Sequence, residues 1–121
     1  MIGVGVDVVE IERFRLALTR TPTMRERLFT AVELEYVAPK VDPVPSLAAR
    51  FAAREATMKA LGLGLGAFGF HDVWVRREPS GVPSLVVTGR AAEIADEMSV
   101  NGWHLSLTHT DLVAVAVVAA L

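Results

Sequence analysis

The sequence predicts an α+β protein in which a mainly antiparallel sheet packs on helices. Three observations point there. The N-terminal "IGVGVDVV" is β-branched and nearly continuous in apolar residues, as a strand buried on both faces would be. Apolar residues at helical spacing run through "EIERFRLALTR" and through "RFAAREATMKALG", the pattern of helices with one face on a core. The C-terminal "WHLSLTHT" and "LVAVAVVAA" read as a closing hairpin, which supplies antiparallel neighbours.

The elements follow in order. After the first strand, Ile11, Phe14 and Leu18 fall on one side of a helix that Thr21 and Pro22 interrupt. "TMRERLFTAVELEYV" suits short helical pieces, and "APKVDPVPS", with three prolines in nine residues, reads as a loop. Ser46 is the expected N-cap of the next helix, which should stop near Gly62 because glycines stand at 62, 64, 66 and 69. "DVWVRRE" alternates like a strand, "PSGVPS" is a turn and "LVVTG" its partner strand. "RAAEIADEMSV" suits an amphipathic helix.

Composition narrows the class. A chain of 121 residues is expected to form one domain over 1–121. It is 52% hydrophobic with a mean hydropathy of +0.41, more apolar surface than so small a body hides easily, so a subunit interface is expected. A net charge of −2 gives no bias toward nucleic acid or membrane. No cysteine is present, which excludes disulfides and thiolate metal sites. An acid as early as Asp7 argues against a signal peptide, and "LVAVAVVAAL" is far shorter than a membrane span. A soluble, cytoplasmic protein is expected.

The helix around "RFAAREATMKALG" carries four charges. On a helical wheel Leu47, Phe51 and Met58 share one stripe, and Ala49, Ala53, Ala56 and Ala60 form a small-residue stripe fit for close approach. Arg50 and Arg54 lie together, roughly 140° from Glu55 and Lys59. The plain reading is an i,i+4 Glu–Lys pair with two exposed arginines opposite. The functional reading holds Glu55 at the core edge to bind a cation, with Lys59 countering an anion nearby. Spacing leaves both open.

Asp7 is the one charge inside an apolar strand. Buried and alone it would cost several kcal/mol, so it either bonds to backbone N–H groups at the strand end or pairs with Glu55 around a divalent ion. Two carboxylates plus water and phosphate oxygens is a usual way to hold Mg²⁺; Glu10 is a weaker third candidate. The glycines after Lys59 would let backbone approach an anion. "SLTH" sets Ser106 and Thr108 on one strand face with His109 at its end, while His71 and His104 keep a structural reading.

Together "GVDVVE" (5–10), "RFAAREATMKALG" (50–62), "GVP" (81–83) and "SLTH" (106–109) resemble, in order and approximate spacing along the whole chain, the short holo-[acyl-carrier-protein] synthases. These are the small bacterial phosphopantetheinyl transferases. The resemblance implies a single-lobe subunit that assembles as a homotrimer with active sites between subunits. It implies Mg²⁺-dependent transfer of 4′-phosphopantetheine from coenzyme A to a serine of an acyl carrier protein, releasing adenosine 3′,5′-bisphosphate.

By the same resemblance Asp7 and Glu55 hold the metal, and Lys59 neutralises charge as the pyrophosphate bond breaks. Arg50, Gly62, Gly81, Pro83, Thr108 and His109 join Lys59 in contacting coenzyme A, and Arg13 meets the acidic carrier. Glu55, directly or through a water, would accept the serine proton; the resemblance leaves open which. Two positions depart from the pattern. Arg54 stands where lysine is usual, and Val82 replaces a commonly basic residue, which implies weaker coenzyme A binding without loss of activity. A silent coenzyme A-binding module or an unrelated Mg²⁺-dependent phosphohydrolase are the competing readings. The intact Asp7, Glu55 and Lys59 set argues against the first, and the lack of a further carboxylate cluster against the second.

Overall fold

The computed structural model describes residues 1–121. Strand β1 (Gly3–Glu10) leads into α1 (Ile11–Arg20), followed by the short helices α2 (Met24–Leu28) and α3 (Ala31–Val37) and the long α4 (Val44–Ala60). A 3₁₀ turn at Phe70–Asp72 precedes the hairpin β2 (Val73–Arg77) and β3 (Pro83–Val87). Helix α5 (Gly89–Glu97) and the closing hairpin β4 (Trp103–His109) and β5 (Val113–Ala120) complete the chain. The strands are all antiparallel, in two sheets: β1-β5-β4 and β2-β3. No helix is long and apolar enough to cross a membrane.

Helix α4 runs across the inner face of the three-stranded sheet, and its alanines make that contact close. Ala49, Ala52, Ala53, Ala56 and Ala60 are all buried, as the small-residue stripe predicts. Strand β1 answers with glycines. A Cβ on Gly5 would lie 1.9 Å from the Ala56 carbonyl oxygen, and one on Gly3 2.0 Å from that of Ala60. No side chain fits there, so strand and helix meet backbone to backbone. On the other side of α4, Phe14 and Leu18 of α1 pack with Phe29, Val37 and Leu47 in one core cluster.

The expected burial of β1 on both faces is not what the chain shows. Gly3, Gly5, Asp7 and Val9 turn inward, whereas Val4, Val6 and Val8 are 60%, 52% and 57% exposed. The reason is layering: helices cover only one face of this sheet. Register places Val4 beside Ala119, Val6 beside Val117 and Val8 beside Val115, so the uncovered face is a continuous apolar surface.

The start of α4 also differs from expectation. Val44 is its first residue and Pro43 its N-cap, with Ser46 already inside the first turn. The Asp42 carboxylate accepts the Val44 N–H at 3.2 Å, and Pro45 is tolerated because a first-turn N–H has no helical partner to lose. The last part of "APKVDPVPS" is therefore helix, not loop. The far end matches: Gly62 takes φ +70°, its N–H reaching Lys59 O at 3.0 Å and that of Leu63 reaching Met58 O at 2.8 Å. This is a Schellman stop, which needs a residue free to adopt positive φ.

Candidate active site

Arg50 and Arg54 are not exposed, as the plain reading of the helix required; they are 2% and 0% exposed. The partner that periodicity could not reveal is Glu33 of α3. Arg54 forms a two-pronged ion pair with it, Nη1 reaching Oε2 at 2.9 Å and Nη2 donating to Oε1. Arg54 Nε also donates to the Phe70 carbonyl at 2.7 Å. Glu33 Oε2 accepts the Val75 N–H at 3.1 Å, and Glu33 closes a capping box with Thr30. A fully buried charge pair holds only when its remaining hydrogen-bonding capacity is filled this way. Arg54 thus ties α3, α4 and the 3₁₀ turn together, and Glu33 extends the link to β2.

Asp7 and Glu55 line one cavity of about 460 Å³ between β1, α1 and α4. β1 turns Asp7 inward because alternate residues share a face; α4 presents Glu55 at the border of its buried side. Val8, Val9, Phe14, Ala17, Met24 and Phe51 give the cavity apolar walls, and Glu10 and Arg13 stand at it too. Phe51 stacks between Phe14 and Phe70, with ring centroids 5.3 and 6.2 Å away. Burial raises the Glu55 carboxyl above its ordinary range, the Asp7 charge adds to this, and Lys59 opposes both.

Lys59 does not pair with Glu55 one turn earlier. Its Nζ crosses to the strand, donating to Asp7 Oδ1 at 3.1 Å and to the Val6 carbonyl at 3.0 Å. No group of three or more potential metal-ligating side chains converges anywhere in the chain, so Glu10 does not complete a carboxylate triad. The pair alone still fits Mg²⁺. Two half-buried carboxylates that repel each other's charge suit a hard cation that keeps most of its waters.

A second cavity, about 310 Å³, gathers Ser46, Ala49, Arg50, Arg77, Leu107, Thr108 and His109. Arg50, Thr108 and His109 thus line one cavity. Arg77 joins them unforeseen; its position in "VRRE" carried no signal beyond strand alternation. Gly62 stands exposed at the end of α4. Gly81 and Pro83 lie in the β2–β3 hairpin and line neither cavity, although Arg77 Nη1 donates to the Gly81 carbonyl at 2.6 Å. Arg13 is exposed on α1 at the mouth of the first cavity. Of the other histidines, His71 bonds through Nε2 to the Glu26 carbonyl at 2.7 Å, and His104 lies on the open sheet face.

Comparison with known proteins shows the family and the fold. The family model described as the 4′-phosphopantetheinyl transferase superfamily matches residues 3–117. A holo-[acyl-carrier-protein] synthase of Streptomyces griseus is 51% identical over 121 residues, covering 99% of this chain and 98% of that protein. The crystal structure of the Neisseria meningitidis holo-[acyl-carrier-protein] synthase superposes with a TM-score of 0.90 at 29% identity, over 100% of this chain and 99% of that one. That of the Helicobacter pylori enzyme, in complex with coenzyme A, superposes with a TM-score of 0.85 at 28% identity over 98% and 99%. The chain is a phosphopantetheinyl transferase and belongs to the holo-[acyl-carrier-protein] synthase family.

Proposed function

We propose that this enzyme transfers the 4′-phosphopantetheine group of coenzyme A to a serine hydroxyl of an apo acyl carrier protein, with Mg²⁺ and with release of adenosine 3′,5′-bisphosphate. The serine oxygen forms a bond to the β-phosphorus, the bridging P–O bond of the pyrophosphate breaks, and the serine proton is lost. The observation that carries this reading is the meeting of Asp7 and Glu55, from two elements in backbone contact, in one open cavity, with Lys59 bonded to Asp7 beside it.

Asp7 and Glu55 are the residues that would hold Mg²⁺; when bound it supplies positive charge to the pyrophosphate oxygens. Lys59 presents its ammonium beside the same pair, where it counters charge developing on the leaving phosphate. Glu55, whose burial favours its protonated form, is suited to receive the serine proton. Arg50, Thr108 and His109 form the wall against which the phosphates of coenzyme A would lie, with Gly62 offering close backbone approach. Gly81 and Pro83 act at the edge of that wall, coupled to it through Arg77.

Arg13 stands exposed beside the first cavity, where an acidic carrier could dock with its serine toward Asp7 and Glu55. The uncovered valine face of β1 and β5 supports a homotrimer, with each site completed beside a neighbour. The test is mass spectrometry of an apo carrier protein incubated with coenzyme A. A gain of one phosphopantetheine group with Mg²⁺, and none with a chelator, is expected. No gain with any of several carriers would sink the proposal.

A further inference from the structure

Three cations from three elements surround one aromatic ring. The Arg50 guanidinium of α4 lies 4.6 Å from the centroid of Tyr36, the Lys40 ammonium after α3 lies at 5.2 Å, and the Arg77 guanidinium of β2 at 5.5 Å. None of the three forms a salt bridge with a carboxylate. Glu33, the acid that acts on Arg50 through space, has its oxygens engaged by Arg54, Thr30 and Val75. Like charges gathered this way repel, and a ring face offsets only part of that.

Arg50 shows the imbalance most directly. Its Nη1 donates to the Ser46 carbonyl at 3.1 Å, but its Nε is buried with no hydrogen-bond partner. Burial lowers the affinity of this guanidinium for its proton, and Arg77 pushes the same way against Glu33 and Tyr36. Both arginines open on the cavity that holds Thr108 and His109. An anion there would relieve the repulsion and neutralise a cluster that the fold has already assembled.

We infer that Tyr36 is a positioning residue for coenzyme A: its ring gathers Arg50 and Arg77 into a preformed clamp for a phosphate group at the Thr108–His109 cavity. Arg77, anchored to the Gly81 carbonyl at 2.6 Å, thereby brings to the "GVP" turn the cation that Val82 does not. The inference rests on the reading of this cavity as the coenzyme A phosphate wall. Tyr36 stands at the exposed end of α3, 36% exposed, so replacing it leaves the core intact.

The test compares Tyr36→Leu, Tyr36→Phe, Arg77→Gln and the Leu/Gln double variant in the otherwise intact enzyme. Calorimetric titration with coenzyme A and steady-state kinetics are the readouts. Tyr36→Leu should weaken coenzyme A binding and raise its KM by about tenfold, with kcat and the carrier KM within about twofold. Tyr36→Phe, which keeps the ring, should bind as wild type. Because the ring holds Arg50 as well as Arg77, the double variant should lose more than Arg77→Gln alone but less than the sum of the two single changes. Wild-type binding by Tyr36→Leu, equal loss in Tyr36→Phe, or fully additive losses would each overturn the inference. If wild-type enzyme transfers no phosphopantetheine while still binding coenzyme A as predicted, the functional reading fails and the clamp stands.

Discussion

Lys59 reaches across from α4 to β1, its Nζ 3.1 Å from Asp7 Oδ1 and 3.0 Å from the Val6 carbonyl. The lysine therefore belongs to the strand's carboxylate and not to its helical neighbour Glu55, and Glu55 keeps its oxygens for other partners. Glu55→Gln and Asp7→Asn should each reduce Mg²⁺-dependent transfer by about a hundredfold or more, while circular dichroism and thermal midpoint stay near wild type. Carrier mass gain over time is the measurement. Wild-type rates in Glu55→Gln would refute the ligand assignment.

Glu55 also sets a pH signature. Its carboxyl is raised above the ordinary value of 4.5, by burial first and the Asp7 charge second, so the folded protein binds this proton more tightly than the unfolded chain. Its contribution to stability is complete below the unfolded value and declines as pH rises through the folded one. In chelator-treated protein, the thermal midpoint of Glu55→Gln should therefore gain on wild type as pH rises from about 4 toward neutrality. Added Mg²⁺ should close that gap, since it favours the ionised form. A difference independent of pH would contradict the shift.

The Arg54–Glu33 pair has no solvent to fall back on. Glu33→Gln leaves a buried guanidinium uncompensated and should cost about 3–5 kcal/mol in urea unfolding. Replacing both partners, as in Glu33→Leu with Arg54→Met, should cost less than the sum of the single changes. Additive losses would mean that the two side chains contribute independently.

Close approach gives the sharpest contrast among the glycines. Gly5→Ala drives a methyl into the Ala56 carbonyl and should destabilise by about 3 kcal/mol or more. Gly64→Ala meets nothing within 4 Å and should stay within about 0.5 kcal/mol of wild type. Denaturant melts of the two variants side by side decide it.

Assembly can be tested on the open sheet face. Val6 and Val117 are paired and both exposed, so Val6→Lys or Val117→Lys places a charge in the centre of the apolar surface. Light scattering should show the mass falling from that of three chains toward one, with transfer lost alongside. An unchanged mass would place the interface elsewhere.

Much of this was legible in the residues because it is local. The 3.6-residue period of α1, the glycine stop of α4 and the alternation of β2 each depend on neighbours in sequence, and each stands where expected. What was not legible depends on distant partners. Nothing around Arg54 announces Glu33, 21 residues away, so its burial could not be foreseen. The valines of β1 read as core because apolarity does not tell a helix-covered face from one that no helix covers. Arg77 and Tyr36 carry no motif; only the packing of α3 against α4 and β2 brings them to Arg50. The Thr30–Glu33 capping pattern marks the start of α3 in the sequence, but not the burial of its acid.

The glycines of β1 have a bearing on the two acids that stand on either side of them. Asp7 follows Gly5 by two residues and Glu55 precedes Ala56 by one, so both carboxylates hang beside the Gly5–Ala56 contact of strand and helix. Their span is calibrated by main-chain contact, which thermal motion of side chains does not loosen. A methyl at Gly5 would lengthen that gauge before it touched either acid. Drift at this position in the chain would thus reach both carboxylates at once, through the main chain and not through a side chain.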